Sequence, residues 1–256
     1  MQQKSLNKCL EIGGFMEAFA STDIGKVRDM NQDSYYISDE NDEIKLYIVA
    51  DGMGGYKGGE IASKLAIESA KNYIRNNFEE IKKEKELILE LIKNAIEYAN
   101  MVVYEKSKEI EELNGMGTTI DVCLIYSNKV YIGHIGDSRV YRLRKEFFRK
   151  LTVDHSYVEQ LVKEGNITKE EAYNHPKKNM LTKALGCTPF VEPDVMVKGF
   201  LKDDILLMCS DGLTNMLKDN KIYEIIKENP KEASKNLVKK ANELGGYDNI
   251  TAVIIL

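Results

Sequence analysis

The run Tyr47–Gly55, YIVADGMGG, is an apolar strand pattern that meets an aspartate and then gives up its side chains to glycine. Related junctions occur at Leu206–Gly212 (LLMCSDG), Tyr131–Arg139 (YIGHIGDSR) and Gly245–Leu256 (GGYDNITAVIIL). One Asp-Gly after a strand is a turn signal, and a single aspartate there is most often a turn residue or a helix cap. Recurrence is a stronger constraint. Several core strands of this chain must carry carboxylates at or beside their ends.

The rest of the pattern says what those strands belong to. Phe15–Thr22, Ser34–Ser38 and Ile44–Ala50 read as strands, rich in β-branched and aromatic residues. SDENDE reads as the hairpin loop between the last two. Gly58–Phe78 and Lys85–Leu113 read as amphipathic helices. In the second, Leu87, Leu91, Ala95, Ala99 and Val102 recur every three or four residues, flanked by Ile88, Ile92, Ile96 and Val103. Ordinary core packing explains that stripe. Strands resume at Gly117–Ser127, VYIGHIG and RVYRLRK, and the alternation in the last predicts an antiparallel sheet with one wet face.

Asp154–Asn179 is polar and helix-prone, which predicts a small helical flap packed on the main body. DVMVKGF and DILLMCS are strands again. Two short helices, Asn220–Glu228 and Lys231–Leu244, lead to the final strand ITAVIIL. Met1–Gly14 reads as a loosely held tail, leaving residues 15–256 as the domain. Strands, then helices, then strands and helices again predict an α+β chain with two antiparallel sheets covered by helices.

Composition narrows the function. A chain of 256 residues with 43% hydrophobic content can bury one large core or two small ones. Lys and Arg number 36 against 41 Asp and Glu, for a net charge of -5. A nucleic-acid partner is therefore not expected, since phosphate neutralisation needs a basic face. Cys9, Cys123, Cys187 and Cys209 form no CxxC pair and read as free thiols in a reducing compartment. The N-terminus lacks an apolar signal core, and no run approaches the roughly 18–20 apolar residues that span a bilayer. A cytoplasmic protein with no membrane association is the expectation.

Five aspartates stand at the strand ends and glycine turns: Asp33, Asp51, Asp137, Asp211 and Asp248. A carboxylate at the edge of a core costs several kcal/mol unless something compensates it. Two like charges about 4 Å apart repel by about 4 kcal/mol at an effective dielectric near 20. If these aspartates converge, they need cations. Mg²⁺ and Mn²⁺ fit, because they take oxygen ligands and keep several waters. Spacing alone does not show convergence. Zinc fits poorly, since His134, His155 and His175 are scattered and no HExxH occurs. Arg28, five residues before Asp33, carries the group best suited to bidentate phosphate recognition, although a lone loop arginine is more often a surface charge.

Taken in order, VRDMNQDS, VADGMGG, GMGTT, HIGDSR, LTVDHSYVEQLVKEGNIT, HPKKNMLTKALG, CSDGL and GGYDNIT closely resemble the bacterial branch of the type 2C metal-dependent protein phosphatases. The resemblance spans roughly Glu17 to Leu256. It implies a four-layer αββα sandwich with a helical flap subdomain, and hydrolysis of phosphoserine and phosphothreonine in proteins. It also implies two core Mn²⁺ or Mg²⁺ ions and a third. Matched motif by motif, Asp51 bridges the two core ions, with the Gly52 carbonyl at the second. Asp211 and Asp248 hold the first. Asp33 acts near the second through water. Asp137, with Asp211, holds the third. Arg28 binds the phosphate. The flap over 154–179 borders the site.

Two positions depart from the eukaryotic pattern. Met53 stands where many eukaryotic members carry a proposed general-acid histidine, and Met cannot donate a proton. Gln32 stands where they often carry Glu. The resemblance therefore leaves no catalytic side chain; a metal-bridging water is the nucleophile. No cysteine is followed six residues later by arginine, so the thiol-phosphatase signature is missing. Rate enhancements for phosphate monoesters reach about 10²¹, far beyond the 10²–10⁴ or so that one acid or base supplies. Partners implied are phosphorylated proteins and a cognate Ser/Thr kinase, with the chain acting as a monomer. A catalytically inert phosphoprotein-binding module and another two-metal hydrolase are the competing readings. A calcium loop at SDENDE lacks the Gly and terminal Glu it would need.

Overall fold

The computed structural model describes residues 16–54 and 58–256, so the expected tail Met1–Gly14, with Phe15 and Gly55, lies outside the described residues. The chain runs β1 (Ala18–Asp23), β2 (Asp33–Ile37) and β3 (Lys45–Met53), then α1 (Gly58–Ile81) and α2 (Lys85–Glu109). Next come β4 (Gly117–Thr118), β5 (Ile120–Tyr126), β6 (Lys129–Ile135), β7 (Arg139–Arg144) and β8 (Phe147–Lys150). Two short helices, α3 (Tyr157–Lys163) and α4 (Lys169–Tyr173), precede β9 (Asp194–Gly199) and β10 (Ile205–Cys209). The chain ends with α5 (Asp211–Thr214), α6 (Asp219–Glu228), α7 (Ala233–Glu243) and β11 (Ile250–Ile255).

Two antiparallel sheets result. One has the order β1-β11-β10-β7-β8; the other runs β2-β3-β5-β6-β9, with β4 added to the end of β3. Period-two alternation sends each central strand's side chains into two different cores. On β3, Tyr47 and Val49 face the space between the sheets, while Leu46, Ile48 and Ala50 face α1 and α2. On β11, Val253 and Ile255 join the inter-sheet core, while Ile250, Ala252 and Ile254 pack with α6 and α7 residues such as Ile226 and Leu237. Three cores between four layers make the αββα sandwich.

Several elements differ from the sequence expectations in instructive ways. β3 does not end at Asp51, its last partner on β2; it continues through Gly52 to Met53, which pair with β4. On α2, the flanking Ile88, Ile92, Ile96 and Val103 are buried alongside Leu91, Ala95 and Ala99, whereas Leu87 is exposed. The face that meets the sheet is thus centred on the isoleucines. β7 is wet only at its end: Val140 enters the inter-sheet core and Tyr141 and Leu143 face the helices, while Arg142 and Arg144 stay part-exposed. Its arginines stay polar because Arg144 binds Asp204 and the Gly199 carbonyl at the sandwich end. Sequence reading missed β8, a four-residue strand whose turn uses Lys145 at φ 56° in place of an Asn-Gly signal.

The flap is helical as expected, and consists of two short helices. Ser156 caps α3 by accepting from the Glu159 N–H, and Thr168 and Glu171 form a reciprocal capping box on α4. Backbone bonds close the flap base: Tyr157 N–H donates to the Met180 carbonyl and Thr182 N–H to the His155 carbonyl, each at 2.8 Å. Among the described residues, no helix is long and apolar enough to cross a membrane.

Candidate metal centre

β2 and β3 pair so that Asp33 stands directly opposite Asp51. Opposed residues in an antiparallel pair project from the same face, here the face toward the other sheet. From that sheet, the Ser210 and Thr251 hydroxyls both donate to Asp33 Oδ2 at 2.7 Å. Thr251 N–H in turn donates to Ser210 Oγ at 3.0 Å, which orients the hydroxyl. Asp33 Oδ1 is buried and accepts no hydrogen bond.

Asp51 is held through its backbone. Its N–H donates to Thr119 Oγ1 at 2.9 Å, and its carbonyl accepts from the Thr118 hydroxyl and the Thr119 N–H. The next residue must be glycine for space. A Cβ on Gly52 would lie 2.0 Å from the Gly59 carbonyl oxygen, where the start of α1 packs against β3.

Asp211 opens α5 and accepts from Asn215 Nδ2 at 2.9 Å. Asp248 Oδ1 accepts from the Asn249 N–H, and its Oδ2 accepts from Arg28 Nη2 at 2.8 Å. The Asn249 side chain staples the loop that carries Arg28: its Nδ2 donates to the Ile24 and Met30 carbonyls, and its Oδ1 accepts from the Gln32 N–H. Asp137 follows Gly136, whose φ of 111° lies in the left-handed region.

The electrostatics tie the five carboxylates into one site. Burial pushes Asp33 up to about 7, against its Ser210 and Thr251 hydrogen bonds, with help from the charges of Asp211 and Asp248. Burial drives Asp51 well above the usual carboxylate range, and the charges of Asp33, Asp211, Asp137 and Asp248 add to it. Asp137 rises for the same first reason, then through Asp211 and Asp154, with Arg139 opposing. Asp211 is pushed up to about 6 by burial and by Asp248. Asp33 is buried, and Asp51, Asp137 and Asp211 keep only part of their surface open.

This is a poor place for bare anions and a good one for hard cations. The donor set is all oxygen, and Asp33 Oδ1 has a lone pair to spare. Among the described residues no three Asp, Glu, His or Cys side chains close around one point on their own. An ion here therefore needs water and backbone oxygens besides carboxylates, as Mg²⁺ and Mn²⁺ ordinarily do. Zinc fits no better than it did in the sequence. His134 is buried against Asp121 at 2.7 Å and stacks on His155, while His175 lies in the flap.

Beside the carboxylates, a cavity of about 820 Å³ opens between the flap and the first sheet, lined among others by Asp137, Asp211, Lys178 and Lys218. Its floor carries a buried ion pair in which Arg139 grips Asp154 from both Nε and Nη2, joined by Lys150. Burial would raise Asp154, but the two cations outweigh it and hold it below its ordinary value.

The family model for protein phosphatase 2C matches residues 26–238, a span that holds four of the five aspartates and Arg28. The chain belongs to that family. Like its other members it is a metal-dependent protein serine/threonine phosphatase, a hydrolase that acts on phosphorylated proteins. It is 38% identical over 242 residues to the serine/threonine phosphatase stp of Listeria monocytogenes serotype 4b, covering 94% of this chain and 95% of that one. The structure of the S. agalactiae serine/threonine phosphatase superposes with a TM-score of 0.86 at 36% identity, covering 94% and 99% of the two chains. The catalytic domain of the phosphatase PstP, solved in complex with two manganese ions, superposes at 0.81 with 32% identity over 94% and 97%. The 2C sandwich is therefore the fold of this chain.

Against the family pattern, the fold brings Asp33, Asp51, Gly52, Asp137, Asp211 and Asp248 to one mouth of the sandwich. It sets Arg28 at the rim, half exposed and engaged with Asp248. Sequence reading missed the residues that hold these groups: Thr118, Thr119, Ser210, Thr251, Asn215 and Asn249. Only their neighbourhood to the DG, GTT and DN motifs marked them.

Proposed function

We propose that Asp51, Gly52, Asp211 and Asp248 hold two Mn²⁺ or Mg²⁺ ions, with Asp33 supporting the second through water and Asp137 with Asp211 taking a third. The observation that carries this is the Asp33–Asp51 pair: two opposed, desolvated carboxylates, one with an orphaned oxygen, facing three more aspartates. Bound divalent ions would neutralise these carboxylates and the phosphoryl oxygens, and make water a nucleophile at neutral pH.

The chain's own residues supply the rest. Arg28 holds the non-bridging oxygens of the phosphoryl group, its loop being fixed by Asn249. It exchanges Asp248 for the phosphate, so one guanidinium serves both. Met53 gives no proton, so protonation of the leaving serine or threonine oxygen falls to water. The cavity under the flap receives the polypeptide that carries the phosphate, with Lys178 and Lys218 offering cations to it.

Phosphorylated proteins delivered by a cognate Ser/Thr kinase are the proposed substrates, met by a monomeric enzyme in the cytoplasm. The free thiols of Cys123, Cys187 and Cys209 support a reducing compartment. Residues 15–256 are proposed as one phosphatase domain, with 154–179 as its flap.

The test is hydrolysis of a phosphothreonine peptide by wild type and Asp51→Ala, with Mn²⁺ and with EDTA. Manganese-dependent turnover that disappears in the variant supports the assignment. Full turnover by Asp51→Ala would overturn it, and a folded but inert wild type at every metal concentration would favour a phosphoprotein-binding module.

A further inference from the structure

His155 is buried at the root of the flap, and the proposed metal and phosphate contacts do not use it. Its surroundings are specific. The Gly136 N–H donates to His155 Nδ1 at 3.2 Å, and the His155 N–H donates to the Gly136 carbonyl at 2.7 Å. Both hydrogen-bonding groups of the Gly136 backbone are thus taken by one residue. The ring stacks on His134 with centroids 4.8 Å apart, and its Nε2 lies 3.3 Å from Asp194 Oδ1 on β9. The His155 carbonyl accepts from Thr182, where the flap returns to the body.

Gly136 immediately precedes Asp137. Among the described residues, no other side chain hydrogen-bonds the Asp137 carboxylate; the charges of Asp211 and Asp154 repel it and that of Arg139 attracts it. Its aim therefore depends on its backbone. That backbone is fixed on both sides: Gly136 by His155, and Ser138 by a 2.8 Å contact between its hydroxyl and that of Thr119. Thr119 is also the residue that accepts from the Asp51 N–H.

We infer that His155 is a positioning residue: its imidazole clamps Gly136 and so aims Asp137 into the carboxylate cluster, joining the flap root to the metal centre. The role requires Nδ1 as acceptor, hence the Nε2–H tautomer, with that proton directed at Asp194. Burial, reinforced by the neighbouring His134, holds the ring's pKa down at about 4, so it stays neutral in this role. The inference rests on the assignment of Asp137 to the centre.

Two substitutions separate packing from hydrogen bonding. His155→Phe keeps a ring to stack on His134 but offers no acceptor to Gly136. His155→Asn places an acceptor near the Nδ1 position without the ring. With a phosphothreonine peptide and saturating Mn²⁺, Phe should lower kcat about tenfold at an unchanged KM, and Asn should restore kcat to within about threefold of wild type. Amide exchange at Gly136 and Asp137 should speed up in the Phe variant alone. Equal loss in both variants, or full kcat in the Phe variant, would overturn the clamp.

Asp137→Ala runs in parallel. Full kcat there would remove Asp137 from the centre; lost kcat there with full kcat in His155→Phe would remove only the clamp. If neither His155 variant folds, nitrogen NMR of the wild-type ring still decides the matter: a protonated Nδ1 contradicts the inference, and an Nε2–H tautomer supports it.

Discussion

Asp33 and Asp51 face each other across the β2–β3 pair, and among the described residues no cationic side chain answers either of them. Like charges directly opposite on a sheet are destabilising, and burial enlarges the penalty. Asp33→Asn keeps the shape and leaves the Ser210 and Thr251 hydroxyls a partner. In EDTA this variant should melt about 2–4 °C above wild type, the shift expected for about 1 kcal/mol in a chain of this size. With Mn²⁺ the order should reverse, because the variant loses an oxygen that supports the ions. Thermal melts under the two conditions check both halves.

The pH dependence has a definite sign. Asp33 and Asp211 titrate near 7 and 6 in the folded chain and near 3.8 unfolded. A carboxyl raised in the folded state binds more protons there, so its stabilisation is present below about pH 4 and is lost as pH rises through 6 to 7. In EDTA the melting temperature should fall between pH 5.5 and 7.5. Mn²⁺ should flatten or invert that slope, and its affinity should rise with pH as it displaces protons. A rising metal-free curve over this window would count against the burial of these groups.

Arg28→Ala tests the phosphate grip. The Arg28–Asp248 pair is exposed, with Arg28 at 50% of its free side-chain area, so its loss should change stability by less than about 1 kcal/mol. KM for a phosphopeptide should rise about tenfold or more, as for a lost charged hydrogen bond. Mn²⁺ binding measured by calorimetry should persist. An unchanged KM would release Arg28 from this role.

Asn215→Ala tests the support of Asp211. The Asn215 amide donates to Asp211 Oδ2, and its backbone carbonyl accepts from the Tyr173 hydroxyl of the flap at 3.1 Å. Loss of the amide should weaken Mn²⁺ binding about tenfold, as removal of a group that orients a ligand does. Tyr173→Phe should have a smaller effect in the same direction. Calorimetric titration of both variants is the measurement.

Much of this molecule was legible in its residues, for identifiable reasons. Apolar, β-branched and aromatic runs such as YIVA and AVII gave the central strands, and the polar, helix-prone composition of 154–179 gave the flap. The Asp-Gly junctions pointed to the carboxylates. What stayed hidden depends on contacts distant in sequence. Ser210 and Thr251 lie 177 and 218 residues from Asp33, and no local pattern distinguishes them from any other hydroxyl. β3 continues past Asp51 because β4 pairs with Gly52 and Met53, and Leu87 is exposed because α2 turns its isoleucines to the sheet. Register and rotation of this kind are settled by packing, not by propensity.

The central claim is that the aspartates at the mouth of the sandwich form a divalent-cation centre. Anomalous diffraction at the manganese edge, from crystals of the protein grown with Mn²⁺, tests it most directly. The account predicts two strong peaks flanking Asp51, one within reach of Asp211 and Asp248 and one beside Gly52, with a weaker third near Asp137. Well-ordered crystals with no peak among these carboxylates, or with peaks only at surface residues, would contradict it.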